Sequence, residues 1–295
     1  MGVDAMVIDC HYHLEERFLT IEEMIRRMDA CGIDRVALMA PVSDPIEEPP
    51  VPLVKIVNAL LFNALTKKIG RGFVEDFTPE GNVKITGRVY AIYPEPDNTI
   101  IFDAVDRYPD RFYGWAFVSP ESATDQVEEL KKWMGHPGFV GGKAHPFWHR
   151  YPPEKLLPAA KVLAAIGKPL LIHAGYESHG DFLALADKAP DLRLILAHAG
   201  FPGYRSTWES IKNRPNIFVD LSQTSYVGDS ATRQAVEYLG AERCLFGTDG
   251  PYGIRARDRK FDFSYIKRRI ERLFPSPEVR QLLLGGNFQE IAGIA

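Results

Sequence analysis

The sequence has few cysteines and no long hydrophobic run, and each absence excludes a class of protein. Its 295 residues contain three cysteines, Cys10, Cys31 and Cys244, an odd number at wide spacing that does not indicate a disulfide framework. No apolar run approaches the ~18 residues of a membrane span, and the opening MGVDAMVIDC lacks the basic segment and long apolar stretch of a signal peptide. We therefore expect a cytoplasmic protein with reduced thiols.

An excess of positive charge is also absent. The formal net charge is -4, from 35 Lys and Arg against 39 Asp and Glu, which gives no electrostatic reason to expect nucleic acid or a membrane as the partner. The sequence shows no P-loop, dinucleotide-binding fingerprint or Gly-X-Ser-X-Gly elbow. A composition of 45% hydrophobic and 25% charged residues is typical of a globular protein, and we expect its partner to be a small-molecule substrate.

Short apolar runs alternate along the chain with longer helical patterns. From residue 138 onward the predicted strands begin about every 25 to 30 residues, which is the length of one β-loop-α-loop unit. The runs are continuously apolar, as expected of a parallel sheet with both faces covered. Eight strands are counted when one near residues 89–94 is included. This number favours an α/β fold, a (β/α)8 TIM barrel formed as one domain by residues 1–295, over an open doubly wound sheet.

An insertion at residues 44–84 interrupts the alternation after the second strand. Residues 44–52 are acidic and rich in proline, and should be extended and irregular. Residues 53–70 then read as an amphipathic helix. Because this helix follows a strand, we expect it near the C-terminal mouth of the barrel, where it could act as a lid, form the interface of a homodimer, or pack on its own barrel.

Polar side chains cluster where the predicted strands end. In a (β/α)8 barrel those ends converge on one face, and active sites are built there from residues far apart in sequence. The residues that the barrel would bring together are Asp9, His11, His13, Lys143, His145, His173, His198 and Asp249.

The types of these residues point to a metal. Side chains alternate along a strand, so the spacing His11-X-His13 places both imidazoles on the same side. Together with His173 and Asp249 they form a set that suits zinc, although iron, manganese and cobalt also accept histidine and carboxylate ligands. His198 could be a further ligand, an uncoordinated acid/base, or a buried structural histidine.

Five motifs together resemble those of the amidohydrolase superfamily, in particular the branch that includes aminocarboxymuconate semialdehyde decarboxylase. They are IDCHYH (8–13), LIHAG (171–175), LAHAG (196–200), GTDGPYG (247–253) and LLLGGN (282–287). The resemblance implies one divalent metal, held by His11, His13, His173 and Asp249. It also implies that His198 is the catalytic histidine and that Asp249 shuttles a proton.

Lys143 bears on the number of metals. It stands where a two-metal subtype of the superfamily carries a carboxylated lysine, but the segment GKAHP resembles the lysine-histidine-proline segment of the one-metal branch. We therefore expect one metal, with Lys143 and His145 as candidates for a second metal or for the substrate. Further candidates for substrate contact are His149, Trp148, Arg205 and Tyr252, each with an alternative interpretation as a solvated or packing residue.

The ligand set alone does not choose the reaction. In the first hypothesis the protein is a metal-dependent hydrolase in which activated water attacks an amide, ester or lactone of a small molecule. In the second it is a non-oxidative decarboxylase of a small carboxylated aromatic or unsaturated substrate, and a cationic side chain should then hold the departing carboxylate. In the third it is a barrel that binds a metal or ligand without turnover.

Overall fold

Eight parallel strands form the central sheet of the computed structural model, which describes residues 6–46, 50–74, 76–85 and 87–294. A separate antiparallel hairpin holds two further strands. In chain order the ten strands are β1 (Ile8–His13), β2 (Arg35–Met39), β3 (Val83–Ile85), β4 (Arg88–Tyr90), β5 (Phe112–Phe117), β6 (Phe139–Ala144), β7 (Leu170–Ile172), β8 (Leu194–Leu196), β9 (Ile217–Asp220) and β10 (Cys244–Leu245).

Backbone hydrogen bonds close the sheet into a barrel. Its order is β1-β2-β5-β6-β7-β8-β9-β10, and the segment after β10 returns to β1. The amide of Cys10 donates to the carbonyl of Phe246 at 3.0 Å, and that of His13 donates to the carbonyl of Gly250 at 2.7 Å. The predicted (β/α)8 barrel is therefore confirmed.

Apolar side chains fill the barrel up to the level of the polar residues. Trp115, Leu171 and Ile195 are fully buried in this interior cluster, and Phe288 from the last helix packs against Trp115. That helix lies at the end where the strands begin, because Lys168, just before β7, donates to the carbonyl of Ala292 at 2.6 Å. The polar residues lie at the opposite end of the barrel, where the strands finish.

Helices follow the strands around the barrel, and local signals set their ends. For example, Thr20 Oγ1 accepts from the Glu23 amide at the start of the first helix, and Gly32 ends it with φ 61°. No helix in the described ranges is both long and apolar enough to cross a membrane. The α-helices are Ile21–Cys31, Val51–Phe62, Lys67–Arg71, Thr99–Arg107, Gln126–Trp133, Pro146–His149, Leu157–Ala165, Phe182–Lys188, Arg205–Ile211, Asp229–Leu239, Ser264–Leu273, Pro277–Gln281 and Asn287–Ala292, with a π-helical turn at Leu282–Gly286.

The strand predicted near residues 89–94 does not belong to the barrel, and its inclusion in the count of eight was wrong. The chain forms β4 there, which pairs with β3 in the separate hairpin. Val89 is 54% exposed, whereas a barrel strand is covered on both faces. The eight barrel strands are complete without it.

The helix predicted at 53–70 is two helices. The first begins at Val51 and ends at Phe62, and the second covers Lys67–Arg71. The break follows from Asn63, which is extended and whose Oδ1 accepts from the Leu65 amide at 2.9 Å, offering the backbone an alternative to the helical bond.

Candidate metal centre

Both histidines of the first strand lie toward the barrel axis, and a bulge in the strand contributes to this orientation. The pairing of β1 with β2 shifts register between Asp9 and Tyr12, so β1 carries an extra residue there. Both imidazoles then approach the same oxygen: His11 Nε2 lies 3.0 Å and His13 Nε2 lies 3.4 Å from Asp249 Oδ1. All three side chains are buried.

The far nitrogen of each of these rings is held by a hydrogen bond. His11 Nδ1 donates to Asp220 Oδ2 at 2.8 Å, and His13 Nδ1 donates to the carbonyl of Ala40 at 3.0 Å. Such bonds set the tautomer and orientation of metal-binding histidines. With Nδ1 as the donor, Nε2 is the nitrogen that each ring presents toward Asp249.

A chain of hydrogen bonds orients the next two histidines. Ser222 Oγ donates to Asp220, His198 Nδ1 donates to Ser222 Oγ at 2.9 Å, and His173 Nδ1 donates to His198 Nε2 at 3.3 Å. The chain leaves His173 Nε2 as an acceptor, and this buried atom has no hydrogen-bond partner among the described residues. An orphaned imidazole nitrogen facing the site is what a metal ligand requires.

Three residues of the site adopt a left-handed backbone that is uncommon for residues other than glycine. The φ angles are 58° at His198, 63° at Gln223 and 58° at Asp249. Hydrogen bonds hold this strain: the His198 amide donates to Asp220 Oδ1 at 2.9 Å, and the Asp249 amide donates to the carbonyl of His11 at 2.7 Å. Strain of this kind clusters at functional sites.

Two of these left-handed residues lie just beyond the ends of barrel strands. β8 ends at Leu196 and β10 ends at Leu245. The chain turns sharply at His198 and Asp249. The turns aim both side chains across the barrel mouth, which a continued strand would not do.

Burial keeps His145, His173 and His198 neutral, which is the form of imidazole that binds metal. It lowers the pKa of His198 to about 4 and the pKa values of His145 and His173 well below their ordinary range. Burial and Lys143 also act to lower the pKa of His11, but Asp249 and Asp220 outweigh them and raise it. Burial would raise the pKa of Asp249, yet the neighbouring His11 and His13 hold it well below its usual value.

One donor set is compact enough to share an ion as it stands. Ligand atoms of His11, His198 and Asp249 all lie within 4.8 Å of one another, the one such group within the described part of the chain. His13 and His173 border this set, through Asp249 and His198 respectively. Imidazole and carboxylate donors suit zinc and similar divalent metals, so the residues present fit a metal.

Lys143 lies beside the site, on β6. It is fully buried, its Nζ lies 3.4 Å from His11 Nε2, and burial lowers its pKa to about 8. Lys143 is not among the described residues that line the cavity above the site. A substrate in the cavity would therefore not meet its ammonium group directly.

A cavity of about 960 Å³, counted out to the open solvent, leads down to these residues. Its floor is polar, and two of its buried donors have no hydrogen-bond partner in the described structure: Trp148 Nε1 and Tyr252 Oη. Since a buried donor without a partner costs free energy, these two atoms are suited to donate to an oxygen of a ligand. The other floor residues are His13, His145, His173, Gln223, Ser225, Tyr226 and Asp249.

The structure brings some of the predicted substrate residues to this cavity and not others. Trp148, Tyr252 and His145 line it, and His145 Nδ1 also accepts from the Trp148 amide at 3.1 Å. His149 lies beside it and donates from Nε2 to the carbonyl of Tyr93 at 2.8 Å. Arg205 lies outside, with a side chain 71% exposed and paired with Glu209.

Two residues that order the site are absent from the sequence-based candidates. Asp220 binds His11, Ser222 and the His198 amide, and Gln223 Nε2 donates to Asp249 Oδ2 at 2.9 Å. Asp220 is the last residue of β9, so the rule that selected the other strand ends would have found it. No sequence signal marks Gln223.

Comparisons with known proteins agree with this architecture. The sequence profile of a family described as "Amidohydrolase" matches residues 8–289. No curated protein matches the chain by sequence. Solved structures of similar fold are only 14–17% identical in the three examples that follow, so they show the fold alone.

One such structure is 5-carboxyvanillate decarboxylase from Sphingomonas paucimobilis, at 16% identity and a TM-score of 0.61 over 99% of this chain and 100% of that one. A second is a probable 2-pyrone-4,6-dicarboxylic acid hydrolase from Acinetobacter baumannii, at 14% identity and a TM-score of 0.63 over 98% and 99%. A third is a dihydroxybenzoic acid decarboxylase from a Polaromonas species with bound manganese, at 17% identity and a TM-score of 0.61 over 98% and 97%.

Proposed function

We propose that this chain, which belongs to the amidohydrolase family, is a metal-dependent hydrolase acting on an amide, ester or lactone of a small molecule. The observation that carries the proposal is the composition of the cavity floor. Imidazole and carboxylate groups suited to a metal stand beside two unpartnered donors suited to a neutral carbonyl oxygen, and no lysine or arginine is among the described lining residues.

We propose that His11, His13, His173 and Asp249 hold one divalent ion, with zinc favoured and iron, manganese or cobalt also compatible with the donors. Supporting observations are the approach of His11 and His13 to Asp249 and the unpartnered His173 Nε2. A divalent metal supplies Lewis acidity and lowers the pKa of water at such a site.

His198 and Asp249 are the proposed acid/base groups. Asp249 keeps its carboxylate ionised, so it can accept a proton from the attacking water and pass it to the leaving group. His198 Nε2 accepts from His173, which favours a role as an uncoordinated histidine over that of a ligand. Trp148 Nε1 and Tyr252 Oη would donate to the carbonyl oxygen and stabilise charge that develops on it.

Decarboxylation is the second candidate, favoured by Lys143 as a buried cation near His11. A departing carboxylate needs a cationic partner that it can reach. Neither Lys143 nor His198 lines the cavity in the described structure. Hydrolysis has the better support because the cavity floor offers two unpartnered donors, Trp148 Nε1 and Tyr252 Oη, and no lysine or arginine is among the described lining residues.

The test compares the two reactions in one metal-loaded preparation. We expect hydrolysis of p-nitrophenyl esters, anilides or lactones, and no release of carbon dioxide from ring-carboxylated aromatics. Asp249→Asn should lower kcat at least about 100-fold. The control Asp110→Asn, at a side chain 94% exposed, should leave it unchanged. Release of carbon dioxide without hydrolysis would contradict the hydrolase proposal and support decarboxylation.

A further inference from the structure

We infer that the substrate is uncharged beyond its scissile group and carries an apolar chain or ring of several carbons, which binds against the insertion. The part of this inference that concerns the scissile group rests on the proposed hydrolase function. The part that concerns the apolar chain or ring rests on the walls of the cavity, which the barrel itself does not supply.

The walls are apolar, in contrast to the floor. Nine of the eighteen described lining residues lie between positions 42 and 85, and all nine are aliphatic or aromatic. Every polar lining residue lies elsewhere, at the ends of the barrel strands and in the loops that follow them. The nine are Val42, Ile46, Leu53, Val54, Val57, Phe73, Val74, Val83 and Ile85.

The helix Val51–Phe62 presents one wall. Leu53, Val54 and Val57 line the cavity at positions i, i+1 and i+4, which share one face of a helix. Ile56, which does not line the cavity, is 56% exposed. The facing wall comes from Phe73 and Val74, after the second helix, and from β3.

The apolar half of the cavity offers a carboxylate no cationic partner. No lysine or arginine is among the described lining residues, and Asp249, the one described lining residue that carries a full charge, lies on the floor where the proposed metal would bind. Nearby guanidinium groups are engaged elsewhere: Arg150 stacks on Phe77 and Arg255 on Phe18. A carboxylate on the distal end of a substrate would lose its hydration here without gaining a partner, whereas each methylene buried raises affinity about fourfold.

The wild-type protein tests the inference by binding alone. Zinc-loaded protein is titrated calorimetrically with acetamide, butanamide, hexanamide and octanamide, and with adipamic acid, which has the six-carbon chain of hexanamide ending in a carboxylate. We expect affinity to rise about fourfold per methylene along the series. We expect adipamic acid to bind at least about tenfold more weakly than hexanamide.

Two matched substitutions then locate the apolar wall. Leu53→Arg introduces a cation into the wall at a half-buried position, and Leu65→Arg makes the same exchange at a side chain 93% exposed and outside the cavity. Leu53→Arg should weaken octanamide binding at least about tenfold and strengthen that of adipamic acid. Leu65→Arg should change neither.

The outcomes separate this inference from the proposed function. Chain-length-dependent binding without hydrolysis of any ester or amide would leave the apolar substrate class standing and remove the hydrolase. Hydrolysis combined with flat affinities along the series, or with adipamic acid binding as tightly as hexanamide, would overturn the substrate class and leave the hydrolase. Absence of binding by every amide would overturn the substrate class as well.

Discussion

Asp249 combines three features that a structural aspartate does not need. Its backbone is left-handed, its Oδ1 faces two imidazoles, and its Oδ2 accepts from Gln223. The strain is compensated by the bond from its amide to the carbonyl of His11. At the residue scale the site is therefore a preorganised arrangement, in which the backbone of one proposed ligand, Asp249, is hydrogen-bonded to the backbone of another, His11.

His198 and His173 can be told apart by their effect on metal content. If His173 is a ligand and His198 an acid/base, His173→Asn should lower zinc affinity by more than the roughly 100-fold that loss of a ligand's hydrogen-bond partner can cost. His198→Asn should lower zinc affinity only about tenfold, since it removes a hydrogen-bond partner of His173 and no ligand, and should lower kcat at least about 100-fold. Zinc affinity by competition with a chromogenic chelator, together with kcat, checks both expectations.

The compact group of His11, His198 and Asp249 suggests the opposite assignment, in which His198 is the ligand and His173 is not. If the His198→Asn variant lost zinc and the His173→Asn variant retained it, His198 would be the ligand in place of His173.

At the scale of the elements, the strand β6, which contains Lys143, packs very closely against its neighbours at Gly141. Gly141 has φ 153°, and a Cβ built there would lie 2.3 Å from the carbonyl oxygen of Pro169 and 2.8 Å from Trp115. The Pro169 carbonyl is also the acceptor for the Gly142 amide, which joins β6 to the start of β7. The strand pairing that positions Lys143 and His145 thus depends on a residue without a side chain.

Gly141→Ala should therefore destabilise the barrel. The added methyl group meets backbone that cannot move aside without breaking the sheet, so we expect a loss of about 2–4 kcal/mol in the free energy of unfolding. Gly135→Ala is the control, since its Cβ would meet nothing within 4 Å, and it should change stability by less than about 0.5 kcal/mol. Urea denaturation followed by circular dichroism measures both; equal stabilities would show that the strands can open at Gly141.

At the scale of the whole molecule, barrel closure brings together groups from both ends of the chain. His11 and Asp220, 209 positions apart, are joined by a hydrogen bond of 2.8 Å. The proposed ligands come from the first strand, the middle of the chain and the region after the last strand, and they meet only when the barrel is closed. A metal bound by them stabilises the closed barrel over any unfolded chain.

Metal removal should accordingly lower the melting temperature. At a free zinc concentration about 100 times Kd, binding contributes about 2.7 kcal/mol, which for a chain of 295 residues corresponds to a fall of about 4 °C on chelation. Readdition of zinc should restore the original value. His11→Asn should melt at the same temperature with and without zinc; a wild-type protein equally insensitive to chelation would contradict the proposed metal centre.

Strand periodicity and strand-end polarity are local patterns, so the amino-acid sequence alone predicts the barrel, the face that carries the chemistry and the residue types that point to a metal. The remaining features could be seen only in the folded chain. The bulge in β1, the left-handed turns at His198 and Asp249, and the support from Asp220 and Gln223 depend on contacts between distant strands. The apolar wall could not be predicted from the sequence for the same reason. A hydrophobic helix face at Leu53–Val57 has the same sequence pattern whether it packs on its own barrel or lines a cavity.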